Sequence, residues 1–415
     1  SFIYLSGTER KNKILKKLPV ILMITSGFAP VPAFDGGAVE CLSTVLLDKN
    51  EKKARYQFIV CTIFDKRIDE SEYKLTKFIQ IYVGRLEKIL EKIFNKICRL
   101  FNRPKNFSVY NYKLIRYLLK NKIEADYILL ENSMDIFGNI LKIYGPETKY
   151  IFHLHNDFNS NSKSPEMADL VAENCYRLLF VSEYLKRRFQ SIVNVDDKKC
   201  RVLYNCTDLE NLVLDDDIVK HRSSLNLKNE DFVFLYVGRI NEEKGTLELA
   251  KAFSNLNISN AKLVICGGTW GKEFRSNRYL GQVQKEFQCN KNNVIFTGYI
   301  DVEVMTQYYA LADVVVIPSI CNEAFGMVML EASKYGCPVI ATKSGGMMEI
   351  VPPNGALWIE NNSNIVTGLT KALNYAYYNI REMRIKTEAA QKYVVTCGKF
   401  SEEDYLNNFW LCLEE

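Results

Sequence analysis

PSICNEAFGMVMLEASKYGCPVIATKSGGMMEI, residues 318–350, decides how the rest of the chain is read. Ahead of it, Asp313 to Ile317 reads as a buried strand of β-branched residues, and Pro338 to Ala341 reads as the next strand. Between the two strands a loop turns into a helix near Phe325-Gly326-Met327. Two carboxylates, Glu323 and Glu331, flank that start with seven residues between them. A helix beginning near Gly326 points its free N–H groups back at the loop, and such an end attracts anions. Glu331 then lies about 7 Å further along the axis, while Glu323 stays on the loop at the other side of the anion.

A ligand with a hydroxylated group at each end and a diphosphate between them fits this layout. A nucleotide sugar is such a ligand: sugar to Glu323, phosphates to the helix start, ribose to Glu331. The competing reading is an ordinary strand–loop–helix with two solvated glutamates, since short motifs match by chance.

Working outward, strands alternate with helical patterns on both sides of this stretch. On the amino-terminal side the candidate strands are 19–25, 57–62, 78–83, 127–130, 149–153, 178–181 and 201–204. On the carboxyl-terminal side they are 232–237, 261–266, 294–296, 314–317 and 339–341. Helical patterns follow over 364–378, 380–395 and 402–413. Such alternation indicates mostly parallel sheets with both faces covered. At 415 residues, the chain has the length of two domains. The polar, acidic stretch 208–229 reads as the region joining them.

The first strand runs into SGFAPVPAFDGG, ending in Gly36-Gly37, and then into a helix. That is the start of a nucleotide-type α/β unit in which glycines let backbone approach a ligand, unless the loop is merely flexible. The strand 149–153 runs into HLHND. Histidine at the carboxyl end of a parallel strand faces the ligand crevice of such sheets, and extended HLH puts His153 and His155 on one face. A satisfied structural histidine is the alternative. YVGRINEEKG opens the second half and places Arg239 and Lys244 before a helix. A guanidinium fork plus a point charge suits a diphosphate and stabilises charge on a departing phosphate oxygen. Pairing of these cations with Glu242 or Glu243 is the plainer reading.

Composition excludes several classes. Apolar residues make up 47% and charged residues 25%, as in ordinary soluble proteins. No apolar run of 18 residues occurs, so no spanning helix is expected. No signal peptide is evident. Twelve cysteines are scattered without a C-x-x-C pair, and only three histidines occur. Free thiols in a reducing cytoplasm fit this better than a Cys/His zinc site.

The net charge of +5 is uneven. Residues 84–122 carry eleven Lys/Arg against Glu87 and Glu91, or +9, which leaves −4 for the remainder. Within that block Leu86, Ile89, Leu90, Ile93, Phe94, Ile97 and Phe101 fall on one helical stripe with Lys88, Lys92, Lys96 and Arg99 elsewhere. A basic amphipathic helix of this kind suits an anionic membrane surface; the alternative is a surface helix whose stripe packs on the sheet. No recognised nucleic-acid module accompanies the charge, so nucleic acid is not an expected partner.

Together, VGRINEEKG, NEAFGMVMLEA, the Gly36-Gly37 loop and SGGMMEI resemble glycosyltransferase family 4. The resemblance is closest over 232–351 and extends over 20–207. It implies an α/β chain of GT-B architecture: two Rossmann-like, doubly wound domains facing a central cleft. Residues 1–207 would form the acceptor-binding domain and 208–399 the nucleotide-sugar donor domain, with a helix near 400–415 packing back on the first. It also implies a retaining, metal-independent hexosyltransferase with no cofactor beyond its donor substrate. A UDP-sugar is the expected donor, and the hydroxyl of a glycan or lipid-linked glycan the expected acceptor. The expected location is the cytoplasm, with the inner face of the membrane as a docking surface for 85–122.

Carried over by position, the resemblance gives Arg239 and Lys244 the diphosphate and Glu323 the donor-sugar hydroxyls. Phe325, Gly326 and Met327 would hold phosphate or sugar through backbone amides, and Glu331 the ribose. Gly36 and Gly37 would approach the donor phosphate, and Tyr299 and Ile300 would line the base. His155, with His153 as second choice, would stand beside the reacting sugar. No metal ligand is expected, because the one D-x-D pattern, at 215–217, lies in the acidic joining stretch. A sugar-nucleotide epimerase of the same fold and a non-catalytic nucleotide-sugar-binding subunit are the alternatives.

Overall fold

The computed structural model describes residues 18–101, 107–157, 165–209, 215–269, 277–287 and 293–414. The first sheet contains β1 (Val20–Ile24), β2 (Gln57–Ile63), β3 (Thr76–Ile81), β4 (Tyr127–Glu131), β5 (Lys149–Leu154), β6 (Cys175–Phe180) and β7 (Cys200–Val202). Its order is β3-β2-β1-β4-β5-β6-β7. The second contains β8 (Phe232–Val237), β9 (Ala261–Cys266), β10 (Val294–Gly298), β11 (Val314–Ile317), β12 (Val339–Thr342) and β13 (Leu357–Ile359), in the order β10-β9-β8-β11-β12-β13. Neighbouring strands run parallel in both sheets.

Each sheet starts at its middle, winds to one edge and returns to the other. That is the doubly wound arrangement, and it leaves a crevice at the strand ends where the order reverses. The crevices lie between β1 and β4 in the first sheet and between β8 and β11 in the second. Loops leaving β1, β8 and β11 carry Gly36-Gly37, Arg239–Lys244 and Glu323 respectively, so topology gathers motifs that are far apart in sequence.

The strands are apolar throughout because both faces are covered. On β1, Ile21 and Met23 join one core cluster while Leu22 and Ile24 join another. On β8, Phe234 and Tyr236 face one side, and Val233 and Leu235 the other. The eleven cysteines among the described residues are free, and those on strands are buried. No helix of the described residues is long and apolar enough to cross a membrane.

The last helix, Glu402–Glu414, buries Tyr405, Leu406, Phe409, Trp410 and Leu413 in the core of the first sheet beside helix Ala38–Lys53. Lys49 and Lys53 pair with Glu402 and Glu403 at 2.8 and 2.7 Å, and Arg177 Nε donates to the Cys412 carbonyl at 3.0 Å. The outgoing and returning crossings touch: Thr207 N donates to the Phe400 carbonyl at 2.9 Å.

Two readings need correction. Within the acidic joining stretch, Asp215–Ser224 is a helix. It belongs to the second sheet, since Arg222 donates to the carbonyls of Leu311, Lys228 and Asp231 at 2.8–3.0 Å. The alternative of a surface helix with its stripe packed on the sheet also fails. Helix Arg85–Leu100 is tied to its neighbour by its polar edge: Glu87 to Lys113 at 2.7 Å, Glu91 to the Val109 N–H, and Asn95 to the Phe107 backbone. Its apolar stripe stays exposed, from Leu86 (76%) through Ile89, Leu90, Ile93, Phe94 and Ile97 to Phe101 (74%).

Candidate active site

Helix Met327–Lys334 begins at Gly326, whose φ of 113° is left-handed, and no side chain caps it. The Met327 and Val328 N–H groups are therefore open to an anion, while the Met329 N–H turns back to the Gly326 carbonyl at 3.0 Å. Gly345, on the loop after β12, has φ +49°. A Cβ there would sit 2.1 Å from the Glu323 carbonyl oxygen. Gly346 N donates to that same oxygen at 2.8 Å. The SGG segment thus supports the Glu323 loop from beneath through backbone contact that a side chain would block. Ser344 Oγ completes the support, accepting from the Glu323 N–H at 3.0 Å and donating to the Cys321 carbonyl at 2.6 Å.

Glu323 itself is held from both sides. Lys244 Nζ donates to its Oε1 at 2.6 Å and Ser319 Oγ donates to the same oxygen at 2.5 Å. Lys244 ends a short helical turn whose Asn241 side chain accepts its N–H. Arg239 is more than half exposed and stands 3.7 Å from the exposed Glu243. So Lys244 is anchored on the predicted sugar-reading carboxylate, whereas Arg239 has only a loose surface partner.

A cavity of about 550 Å³ opens here. Its walls include His155, Arg239, Lys244, Glu323, Phe325, Gly326 and Met327, all singled out from sequence, and it takes Ala38 and Asn205 from the first sheet's side. A second cavity of about 860 Å³ shares Ala38, Gly238 and Met327 with it and holds Gly37 and Glu331. Burial raises the Glu331 carboxyl, against the Tyr309 hydroxyl, which donates to Oε2 at 2.5 Å, and the Lys334 charge. Burial also pushes the Tyr309 hydroxyl well up, and Glu331 adds to it.

Not every candidate lines these cavities. Gly36, Tyr299 and Ile300 do not. The Tyr299 hydroxyl donates to the Asp35 carbonyl at 3.0 Å, so it bridges to the glycine loop of the first sheet. His153 is wholly buried behind His155. Glu131 ends β4 directly opposite His153 in the register. Its Oε2 lies 2.7 Å from His155 Nε2 and 3.1 Å from His153 Nδ1. These three residues are the metal-capable cluster among the described residues.

Sequence reading missed Glu131, Tyr309 and Glu349. A charged residue closing the apolar run YILLE was a usable signal for the first. Glu349 accepts from the N–H groups of Glu183 and Tyr184 at 2.8 and 2.6 Å, across the cleft, and nothing local marks that.

Residues 217–392 match the family described as glycosyl transferases group 1. The lipopolysaccharide 1,2-N-acetylglucosaminetransferase of Salmonella typhimurium is 29% identical over 282 residues, 65% of this chain and 67% of that protein. The putative glycosyltransferase YtcC of Bacillus subtilis is 24% identical over 386 residues, 90% of this chain and 86% of that protein. Among solved structures, Anabaena Alr3699/HepE in complex with UDP and glucose superposes with a TM-score of 0.73 at 19% identity, over 95% of this chain and 99% of that one. At that identity the last likeness bears on the fold alone. The paired sheets thus have the GT-B fold, and residues 217–392, most of the second domain, are similar to the glycosyl transferases of group 1.

Proposed function

We propose that the protein is a retaining, family 4 hexosyltransferase that uses a UDP-sugar and glycosylates a hydroxyl of a glycan or lipid-linked glycan. The observation that carries this reading is the cavity on which His155, Arg239, Lys244, Glu323 and the open helix start at Gly326 converge. Phosphate sits at the helix start between Arg239 and Lys244, Glu323 reads sugar hydroxyls, and Glu331 in the adjoining cavity takes the ribose. The UDP assignment draws on the likeness to a protein crystallised with UDP and glucose, and the glycan acceptor on the lipopolysaccharide transferase.

In the step proposed, the bond from the anomeric carbon to the phosphate oxygen breaks and its electron pair stays on the phosphate. The acceptor oxygen bonds the same carbon from the same face, and its proton passes to the departing phosphate oxygen. Arg239 and Lys244 stabilise that oxygen's charge, so the step calls on no metal. Glu323 is committed to Lys244 and Ser319 rather than poised as a nucleophile for double displacement.

A thermal-shift panel of nucleotide sugars tests the donor, since a ligand of the folded state raises its stability. A UDP-sugar should raise the melting temperature; no shift with any nucleotide sugar rejects the reading. NMR of the product's anomeric configuration tests retention, and an inverted product rejects it. Acceptor access is proposed to involve anionic lipid, contacted by the exposed stripe of helix Arg85–Leu100 and by the exposed Lys88, Lys92 and Lys96. Vesicle flotation should show binding with anionic lipid, and absence of binding to any vesicle removes this part.

A further inference from the structure

Glu131 is 1% exposed and His153 0%, at the carboxyl ends of adjacent strands β4 and β5. His155 follows two residues on, and the two imidazole centroids are 3.9 Å apart. A carboxylate removed from water is costly unless it is paired and hydrogen-bonded. Here one oxygen, Oε2, meets both rings: His155 Nε2 along a hydrogen bond of 2.7 Å, and His153 Nδ1 at 3.1 Å outside hydrogen-bonding geometry. His155 Nδ1 is buried and has no hydrogen-bond partner, yet His155 lines the cavity that holds Lys244 and Glu323.

The protonation states follow from these surroundings. Burial alone would raise the Glu131 carboxyl, but the adjacent His153 and the hydrogen bond from His155 hold it down at about 2. Burial and the neighbouring His153 push His155 down to about 4, against the pull of Glu131. Glu40 and Tyr405 also face Glu131, from the helices packed over this end of the sheet. At neutral pH Glu131 is therefore an anion that can only accept, so a neutral His155 carries its proton on Nε2.

We propose that Glu131 is a positioning residue for sugar transfer: it fixes His155 as the Nε2–H tautomer and so presents the Nδ1 lone pair as an acceptor for a hydroxyl of the transferred sugar. This rests on the reading that the 550 Å³ cavity takes the donor sugar. It adds to it a buried glutamate that never touches substrate, and a required polarity for the hydroxyl it helps to bind. A donor hydroxyl must give its hydrogen here rather than receive one.

The test compares Glu131→Gln, Glu131→Asp and His155→Ala in steady-state transfer, with melting temperature as the control for folding. Glu131→Gln can donate its amide hydrogen to Nε2 and favour the opposite tautomer. It is expected to lower kcat/KM about 10- to 100-fold, as loss of one well-placed buried hydrogen bond does, with Glu131→Asp recovering part of the loss. The wild-type kcat/KM should stay level from about pH 8 to about 5 and fall towards 4 as Nδ1 gains a proton. Removal of the Glu131 charge should move that acid limb to lower pH. A merely structural role would change the amount of folded enzyme and not the shape of the profile.

If His155→Ala keeps full activity, the reading of the cavity fails. If His155→Ala is impaired while Glu131→Gln is not, the cavity reading stands and the positioning role is overturned. Imidazole ¹⁵N spectra of the wild-type protein read the tautomer directly, so a variant that fails to fold leaves the proposal open to test; an Nδ1–H signal for His155 overturns it. Loss of activity on chelation with recovery on adding zinc overturns it too, in favour of a metal held by the same three side chains.

Discussion

Glu349→Ala should loosen the two domains from each other while leaving each one folded. Helix Glu183–Gln190 belongs to the first sheet, and its amino terminus is satisfied from both sides of the cleft. Ser182 Oγ accepts the Leu185 N–H at 3.0 Å and donates to the Ala324 carbonyl at 2.5 Å. Glu349, from the second domain, takes the Glu183 and Tyr184 N–H groups at 2.8 and 2.6 Å and the Tyr204 hydroxyl at 3.2 Å. Hydrogen bonds to a charged acceptor contribute about 1.5–3 kcal/mol each, but those at one carboxylate do not add in full, and water takes over the N–H groups when the domains part. An anion at a helix start is worth up to about 2 kcal/mol in a partly buried setting. A net of about 2–3 kcal/mol for the contact is reasonable, which is roughly 30- to 150-fold in a closed-to-open equilibrium. Small-angle scattering should show a larger radius of gyration for Glu349→Ala than for wild type. Transfer kinetics should show kcat/KM reduced by up to the same factor, since the cavity takes its walls from both domains. Glu349→Gln, which keeps an acceptor without the charge, should fall between. An unchanged radius of gyration together with unchanged kinetics would refute the argument.

Three further outcomes are expected. Arg239→Ala and Lys244→Ala should each lower turnover on the order of 100-fold in a transfer assay, as removal of a transition-state charge partner does; unchanged turnover in either removes that residue from the diphosphate clamp. Gly345→Ala should destabilise the second domain by about 1–3 kcal/mol, read from urea melts, because its φ is +49° and the new Cβ would meet the Glu323 carbonyl at 2.1 Å. Phe409→Ala should cost about 3–5 kcal/mol in the melt of the first domain, because the ring is wholly buried in that core although the residue lies at the end of the chain.

The strands were legible because both faces of each sheet are covered, so runs such as FVFLYV and AKLVIC stand out against polar surroundings. β13 was not, because three residues, LWI, are too few to show a period. Glu323, Gly326 and Glu331 lie within one loop and helix, so their relative placement was legible from spacing. Residues whose role comes from tertiary pairing were not: Glu131 acquires its histidine partners only when β4 and β5 are in register, and Glu349 meets helix Glu183–Gln190 from about 165 residues away. The stripe on helix Arg85–Leu100 was visible as a pattern, but periodicity cannot say whether a stripe faces a core or water. Only the packing showed that the polar edge of that helix binds its neighbour and the apolar one does not.

Several candidate groups have protein partners. Lys244 sits on Glu323, His155 on Glu131, Tyr309 on Glu331, and Arg239 lies near Glu243. On the proposed reading, donor binding is thus an exchange of partners rather than the filling of vacant charges, and its net free energy is smaller than the number of cations suggests. The exchange is uneven. Arg239 gives up a 3.7 Å contact between exposed groups, which is worth little, whereas Lys244 must share or leave a half-sequestered carboxylate at 2.6 Å. When Lys244 turns to phosphate, Glu323 needs new donors, and the hydroxyls of the sugar can supply them. Lys244 and Glu323 are then coupled through the substrate: phosphate draws the lysine and the sugar satisfies the carboxylate, so a nucleotide without its sugar leaves Glu323 short of a donor. UDP alone should accordingly gain less from Lys244 than the full UDP-sugar does. In a double-mutant cycle of Lys244→Ala and Glu323→Gln, the interaction energy measured with UDP-sugar should exceed that measured with UDP. Equal interaction energies for the two ligands would show that the pair is separate from sugar binding.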